Sequence, residues 1–301
     1  MPYAWTHIIY GELVLTKSNL PQPNHLKQFQ LGCQGPDFFF FHRFWPWIKD
    51  ERGAKLGNLF HTEHCGPVLI DLIDAAQSTP SIRDLALGFI THHLLDRNTH
   101  PYIHYRAGYQ KYKHQELEVI LDTLIGKEIK NLKTWRTPLA PEIQVGPQLP
   151  VEWVEILYQV ACKYYPDTAG HLEPMEYHQA YRDMIKALQL FYDPWGIKNF
   201  LTLGQIRPFR HSRHIPDKDF FNVNQAEWCH PGMSEEKYRY SFWELWEQAL
   251  EEGISILPLV VQYWETGEGK EKIIKLIGNR SYDTGKDCSA KLINQYAEPL
   301  V

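Results

Sequence analysis

SFWELWEQALEEGISILPLVVQYW, residues 241–264, places apolar side chains at Leu245, Trp246, Ala249, Leu250, Ile254, Leu257, Val261 and Trp264. This is the three-and-four spacing of a helix with one buried face. Ser241 suits the N-cap and Pro258 is a candidate kink. The same period runs through roughly residues 5–17, 56–76, 80–98, 105–127, 151–166 and 174–192, whereas two-residue alternation bounded by turn signals is scarce. The expected fold class is therefore all-α, a multi-helix bundle. Thr137 to Pro150, with four prolines, is the strongest punctuation. It predicts a boundary between residues 1–136, rich in histidine, and a helical extension over 137–301 that belongs to the same domain or forms a second one.

The 301 residues are 44% hydrophobic and 22% charged with a formal net charge of −5. That supplies a full core, excludes a disordered or low-complexity chain, and provides no global basic field to draw the protein onto nucleic acid. Five scattered cysteines do not read as a disulfide framework. The opening MPYAWTHIIYGELVLTK lacks a basic n-region, a pure apolar h-region and a small-residue cleavage site, so no secretory signal and a cytoplasmic location are expected. The most apolar later stretch, Gly253 to Trp264, is too short to span a bilayer.

Ten of the fifteen histidines fall between His7 and His114. In ITHHLLDRNTHPY, residues 90–102, His92, Asp96 and His100 recur at i, i+4 and i+8 and drift only about 40° per step around a helix. Three metal-ligating side chains thus share one face. Pro101 predicts that the helix ends near His100. His114 and Glu118 repeat the four-residue spacing in YKHQELEVILD, residues 112–122. Two helices that each present histidine and carboxylate one turn apart are how bundles build metal centres, and imidazole with a few carboxylates suits zinc. His93 points elsewhere on its helix. His64, Cys65, His104 and Asp122 are candidates to orient ligands by hydrogen bonds. His7, Asp37 and His61 are scattered and carry little signal singly. The aromatic run Phe38 to Trp47 is core, lid or cleft lining, and Arg43, Arg207, Arg210 and Arg213 could meet a phosphate. His230 reads most simply as a loop residue.

In order, WTH at 5–7, LGCQGPDFFF at 31–40, KLGNLFHTEHCGPVLIDLI at 55–73, GFITHHLLDRNTHPY at 88–102 and YKHQELEVILD together resemble the zinc-dependent phospholipase C family. Its metal-site architecture is shared with the single-strand-specific zinc nucleases. The resemblance implies a metal site between helices, with Asp37, His61 and His92 on one zinc and His100, His114 and Glu118 on a second. Asp96 and His7 would hold a third, with Asp96 bridging. Secreted relatives complete that third site with the free amine and carbonyl of an amino-terminal tryptophan, whereas Trp5 is internal here, which favours two zinc ions over three. Asp37 would double as the base that orients the attacking water. The implied function is a zinc-dependent hydrolase of phosphoester bonds acting on a small-molecule or lipid substrate. A nuclease or phosphodiesterase acting on nucleic acid is an alternative that the net charge does not favour. A non-catalytic metal-binding helical protein is the other.

Overall fold

Ser241 caps a helix. Its N–H and hydroxyl both donate to Glu244 Oε2 at 2.8 Å, and Glu244 N–H donates back to Ser241 Oγ at 3.3 Å, a reciprocal capping box. In the computed structural model, which describes residues 4–301, that helix runs without interruption from Phe242 to Thr266. It is one of a set made up of α1 (Ala4–Lys17), α2 (Leu26–Gly32), α3 (Arg52–Thr62), α4 (Cys65–Ser78), α5 (Arg83–Ala107), α6 (Lys113–Lys130), α7 (Ala140–Ile143), α8 (Val151–Tyr164), α9 (Pro166–Ala169), α10 (Pro174–Phe191), α11 (Ile197–Leu201), α12 (Phe242–Thr266) and α13 (Lys270–Ile277). A 3₁₀ turn, Gly35–Phe41, joins α2 to the loop before α3. Among the described residues the only sheet is a hairpin of β1 (Trp228–His230) and β2 (Met233–Tyr238), antiparallel with Trp228 opposite Tyr238 and an irregularity between Cys229 and His230. The expected all-α bundle is what forms.

The axis of the bundle is α5, enclosed by α1, α2, α6 and α12. A helix buried on nearly every side is normally apolar all round. This one instead buries His92, His93, Asp96, Arg97, Asn98, Thr99 and His100, so its polar residues must find partners inside the protein. The crossing with α2 is a backbone contact. A Cβ on Gly88 would stand 2.2 Å from Phe29 O, and one on Gly32 would stand 2.2 Å from Leu85 O. That closeness brings the 3₁₀ turn following α2 against the middle of α5. From the other side, Tyr10 of α1 donates its hydroxyl to Ala249 O of α12 at 2.6 Å. One core cluster takes in side chains from every helix but α11. Among the described residues, no helix is long and apolar enough to cross a membrane.

Three helix boundaries differ from the sequence expectation. Residues 56–76 divide into α3 and α4 at His64, whose backbone is left-handed (φ 52°). The stretch expected to be helical over 105–127 breaks between α5 and α6 at Gly108 (φ 70°) and Tyr112 (φ 64°). Most consequentially, α5 does not stop near His100 but continues through Pro101 to Ala107. Proline removes the donor that the Arg97 carbonyl would use, and Gly285 packs against that carbonyl so closely that a Cβ there would lie 2.2 Å from Arg97 O. Tertiary packing covers the break, and the helix is carried across it.

Candidate metal centre

The helical row lies on one face, as its spacing requires. On α5, His92 Nε2 is 3.0 Å from Asp96 Oδ2, and His100 Nε2 is 3.3 Å from Asp96 Oδ1. His7 Nε2 comes in from α1, 3.3 Å from the same Oδ1. The amino end of α1 is held there by Asp122 of α6, which accepts from Thr6 N–H at 2.6 Å, Thr6 Oγ at 2.7 Å and Trp5 N–H at 3.3 Å. His211 Nε2 closes the same carboxylate at 2.8 Å. From the 3₁₀ turn, Asp37 Oδ1 lies 3.1 Å from His61 Nε2 on α3 and 3.8 Å from His92 Nε2. Gly35 makes that approach possible. Its φ is +51°, and a Cβ would sit 2.2 Å from the His92 ring. On α6, Glu118 Oε1 is 3.0 Å from His114 Nε2 and 3.6 Å from His100 Nε2.

The eight side chains form three groups: His7, His92 and Asp96; Asp37, His61 and His92; and His100, His114 and Glu118. Within each, one ligand atom per residue lies within 4.8 Å of the others. The tautomers are legible for two of the rings. His61 Nδ1 is 2.7 Å from Gly57 O, and His92 Nδ1 is 3.0 Å from Cys33 O. A carbonyl only accepts, so Nδ1 carries the proton, and in the neutral ring Nε2 turns a lone pair toward a carboxylate. Lone pair facing anion is repulsive unless a cation stands between them. Consistent with this, both oxygens of Asp96, His92 Nε2 and Glu118 Oε2 are buried with no partner in hydrogen-bonding geometry. Buried polar groups left this way are uncommon. The donor set fits a metal.

The electrostatics point the same way. Burial alone would raise Asp96, but the imidazoles of His100, His92 and His7 outweigh it and hold the carboxyl well below its ordinary range. His114 and His100 likewise lower Glu118 against burial, and His92 and His61 act in the same direction on Asp37. His100 is raised well above the ordinary histidine value, Asp96, Asp283 and Glu118 overcoming burial. His104 is lowered to about 4 by burial and by His114 beside it.

Residues 280–284 lie across this cluster. Tyr282 N–H and Ser281 Oγ both donate to His61 O at 2.9 Å. His93 Nε2 is 2.8 Å from Arg280 O, and His230 Nε2 is 2.8 Å from Thr284 O. Asp283 Oδ1 lies 3.7 Å from both His100 Nδ1 and His104 Nε2. The segment is anchored through Glu252, which accepts from Arg97 and Arg280 of opposite sides. Asp283 and Tyr282 were not singled out by the sequence. His104 and Asp122, expected to orient ligands by hydrogen bonds, stand beside the cluster, but Asp122 bonds Thr6, Trp5 and His211 and His104 Nε2 lies 3.7 Å from Asp283, while His230 supports residues 280–284. His64 is exposed against Tyr164, and Cys65 contacts Phe60 O and Cys288 instead. Of the aromatic run, Phe38 and Phe39 are core, Phe40 lines the site and Trp47 is exposed. Arg43 joins an ion network with Asp50 and Glu176. A pocket of about 420 Å³ opens onto Asp37, His100, His114, Glu118 and Asp283, rimmed by Tyr112.

A family model described as zinc dependent phospholipase C matches residues 6–171, more than half the chain. The protein belongs to the zinc-dependent phospholipase C family. No curated protein and no solved structure matches the chain. The span matched by the zinc-dependent phospholipase C model includes all eight side chains, from His7 to Glu118, and ends well before Asp283. Five imidazoles and three carboxylates are also a donor set that zinc accepts.

Proposed function

We propose that this zinc-dependent phospholipase C-like protein hydrolyses a phosphoester, with Asp37, His61 and His92 holding one zinc and His100, His114 and Glu118 a second. Asp96 and His7 serve as further ligands beside them, and residues 137–301 form the extension that covers this centre. The observation that carries the reading is Asp96, 1% exposed, with three imidazole nitrogens within 3.3 Å and neither oxygen hydrogen-bonded. Zinc, when bound, lowers the pKa of a coordinated water to about 7 and neutralises charge on the phosphoryl group.

The side chains divide the remaining work. Asp37 is on the pocket wall and retains some solvent contact, so its carboxylate is placed to orient the attacking water and take its proton. Asp283 Oδ1 stands 3.7 Å from His100 Nδ1, where its negative charge favours a proton on Nδ1 and leaves Nε2 toward Glu118, as a carboxylate beside a metal-binding histidine does. Gly57 O and Cys33 O do the same for His61 and His92. An open pocket at the ligands favours catalysis over a purely structural metal, whose positions would all be filled by protein.

The test is zinc content by elemental mass spectrometry on the wild type, Asp96→Asn and His114→Ala, beside phosphatidylcholine hydrolysis by each. Zinc and activity are expected to fall together in both variants, and full metal content in both would sink the assignment. Single-stranded DNA and RNA at several salt concentrations are the control substrates, since nucleic-acid binding would weaken steeply with salt.

A further inference from the structure

Beyond the family-matched span, residues 194–216 read PWGIKNFLTLGQIRPFRHSRHIP. They carry Lys198, Arg207, Arg210 and Arg213 and no acidic residue, in a chain whose net charge is −5. Five apolar side chains between Trp195 and Leu203 are turned outward. Trp195 is 80% exposed, Phe200 79% and Leu203 90%, with Ile197 and Leu201 exposed beside them. Soluble proteins scatter exposed apolar residues singly, and a contiguous group marks a surface that meets something.

This surface adjoins the metal centre. Phe209 stacks on Phe191 of α10 at 4.7 Å and meets Tyr112, on the pocket rim, at 5.0 Å. Arg207 reaches Glu116 of α6 at 3.9 Å, two residues from His114 and Glu118. Arg210 donates to Asp193 O at 3.1 Å, and Asp193 accepts from Asn199 N–H at 2.9 Å. The apolar tip, the basic flank and the pocket rim are thereby joined by short contacts.

We propose that residues 195–213 dock the protein on a lipid bilayer bearing anionic headgroups, beside the pocket that would take the headgroup phosphoester. Tryptophan, phenylalanine and leucine enter the boundary between headgroups and acyl chains, and the exposed Arg207 and Arg213 meet the anionic surface. A second copy of the chain fits less well, because a two-fold interface would set Arg207 and Arg213 of both copies against one another. The inference deepens the lipid reading of the pocket and rests on it.

The experiment compares co-sedimentation with vesicles of phosphatidylcholine alone and of phosphatidylcholine mixed with phosphatidylglycerol, for the wild type and for Trp195→Ala/Phe200→Ser/Leu203→Ser. Hydrolysis of a water-soluble phosphodiester is measured in parallel. The wild type is expected to bind the mixed vesicles more tightly than the neutral ones, and less so as salt rises. Partial burial of three such side chains predicts a roughly hundredfold loss of partitioning in the triple variant, with soluble-substrate hydrolysis and melting temperature retained. Arg213→Gln is expected to weaken binding to the mixed vesicles alone. Absence of wild-type binding to both vesicles overturns the proposal, as does a triple variant that binds like the wild type. A concentration-dependent wild-type dimer that the triple variant abolishes, with vesicle binding unchanged, overturns it in favour of a second copy. Soluble hydrolysis without vesicle binding rejects the docking surface and leaves the enzymatic reading intact. Vesicle binding lost in the triple variant, with no hydrolysis by either protein, upholds the surface and rejects the enzyme.

Discussion

Replacing Asp283 by asparagine removes one negative charge and leaves the shape. Its Oδ1 stands 3.7 Å from His100 Nδ1 and from His104 Nε2, and its side chain is 29% exposed. Removing a group that orients a metal-bound histidine typically costs 10- to 100-fold in metal affinity. A separation of 3.7 Å is long beside the roughly 2.8 Å of a strong charge-assisted bond, and partial exposure screens it. The lower end is therefore expected, about tenfold, or ~1.4 kcal/mol. The effect should be larger at the His100 site, because Asp283 stands 3.7 Å from His100 Nδ1 and acts on His61 only as a more remote charge. Asp37, His61 and His92 are oriented by backbone carbonyls and by one another. Zinc withdrawal by a chromophoric chelator should show one site clearly loosened for Asp283→Asn and the other much less affected, with kcat falling more than KM rises, and Asp283→Glu recovering part of the loss. Withdrawal curves that superimpose for wild type, Asp283→Asn and Asp283→Ala would refute the reasoning. Equal loosening of both sites would show that residues 280–284 support the fold without orienting His100.

Gly35→Ala combines a left-handed φ of +51° with a Cβ 2.2 Å from the His92 ring. It should cost at least about 2 kcal/mol of stability and loosen the Asp37–His61–His92 zinc, read by urea unfolding and the same chelator; wild-type behaviour in both would contradict the close approach. Arg97 is buried, donating to Glu252 at 2.8 Å and Ile277 O at 2.6 Å. Arg97→Met leaves that carboxylate and carbonyl short of a partner and should lower the unfolding free energy by about 3 kcal/mol; a drop below about 1 kcal/mol would count against the anchor. Cys65 Sγ and Cys288 Sγ lie 3.5 Å apart, so an excess of oxidised dithiothreitol should remove two titratable thiols per chain, and Cys288→Ser should lose none. Because zinc needs neutral imidazoles, acidification through about pH 6 should release metal as protons compete; retention of full zinc at pH 4 would argue against histidine ligation.

How much of this was legible follows from where each contact lies along the chain. The all-α class could be read because helical spacing is local, and so could the row His92, Asp96, His100, which one helix fixes by itself. His7, Asp37 and His61 come from three other elements, and only the resemblance connected them to that row. The breaks at His64 and Tyr112 were hidden because each places a non-glycine residue at positive φ, a conformation that side-chain identity scarcely announces. Pro101 misled for the opposite reason. The local rule that proline ends a helix is correct about the lost hydrogen bond, but Gly285, far along the chain, covers the freed carbonyl.

Residues 280–284 were the least legible, and their grip explains why. Tyr282 uses its backbone N–H on His61 O, while Arg280 and Thr284 offer backbone carbonyls to His93 and His230. Any residue with a backbone can make such contacts, so no pattern of side chains has to mark them. Among these five residues, Arg280 and Ser281 also act through their side chains, and Asp283 and Tyr282 place theirs against proposed ligand rings, Asp283 beside His100 and Tyr282 beside His61 and His92. The proposed ligands are histidines and carboxylates, side chains that leave a trace in the sequence. The residues that aim them need only be in the right place, which is a property of the fold.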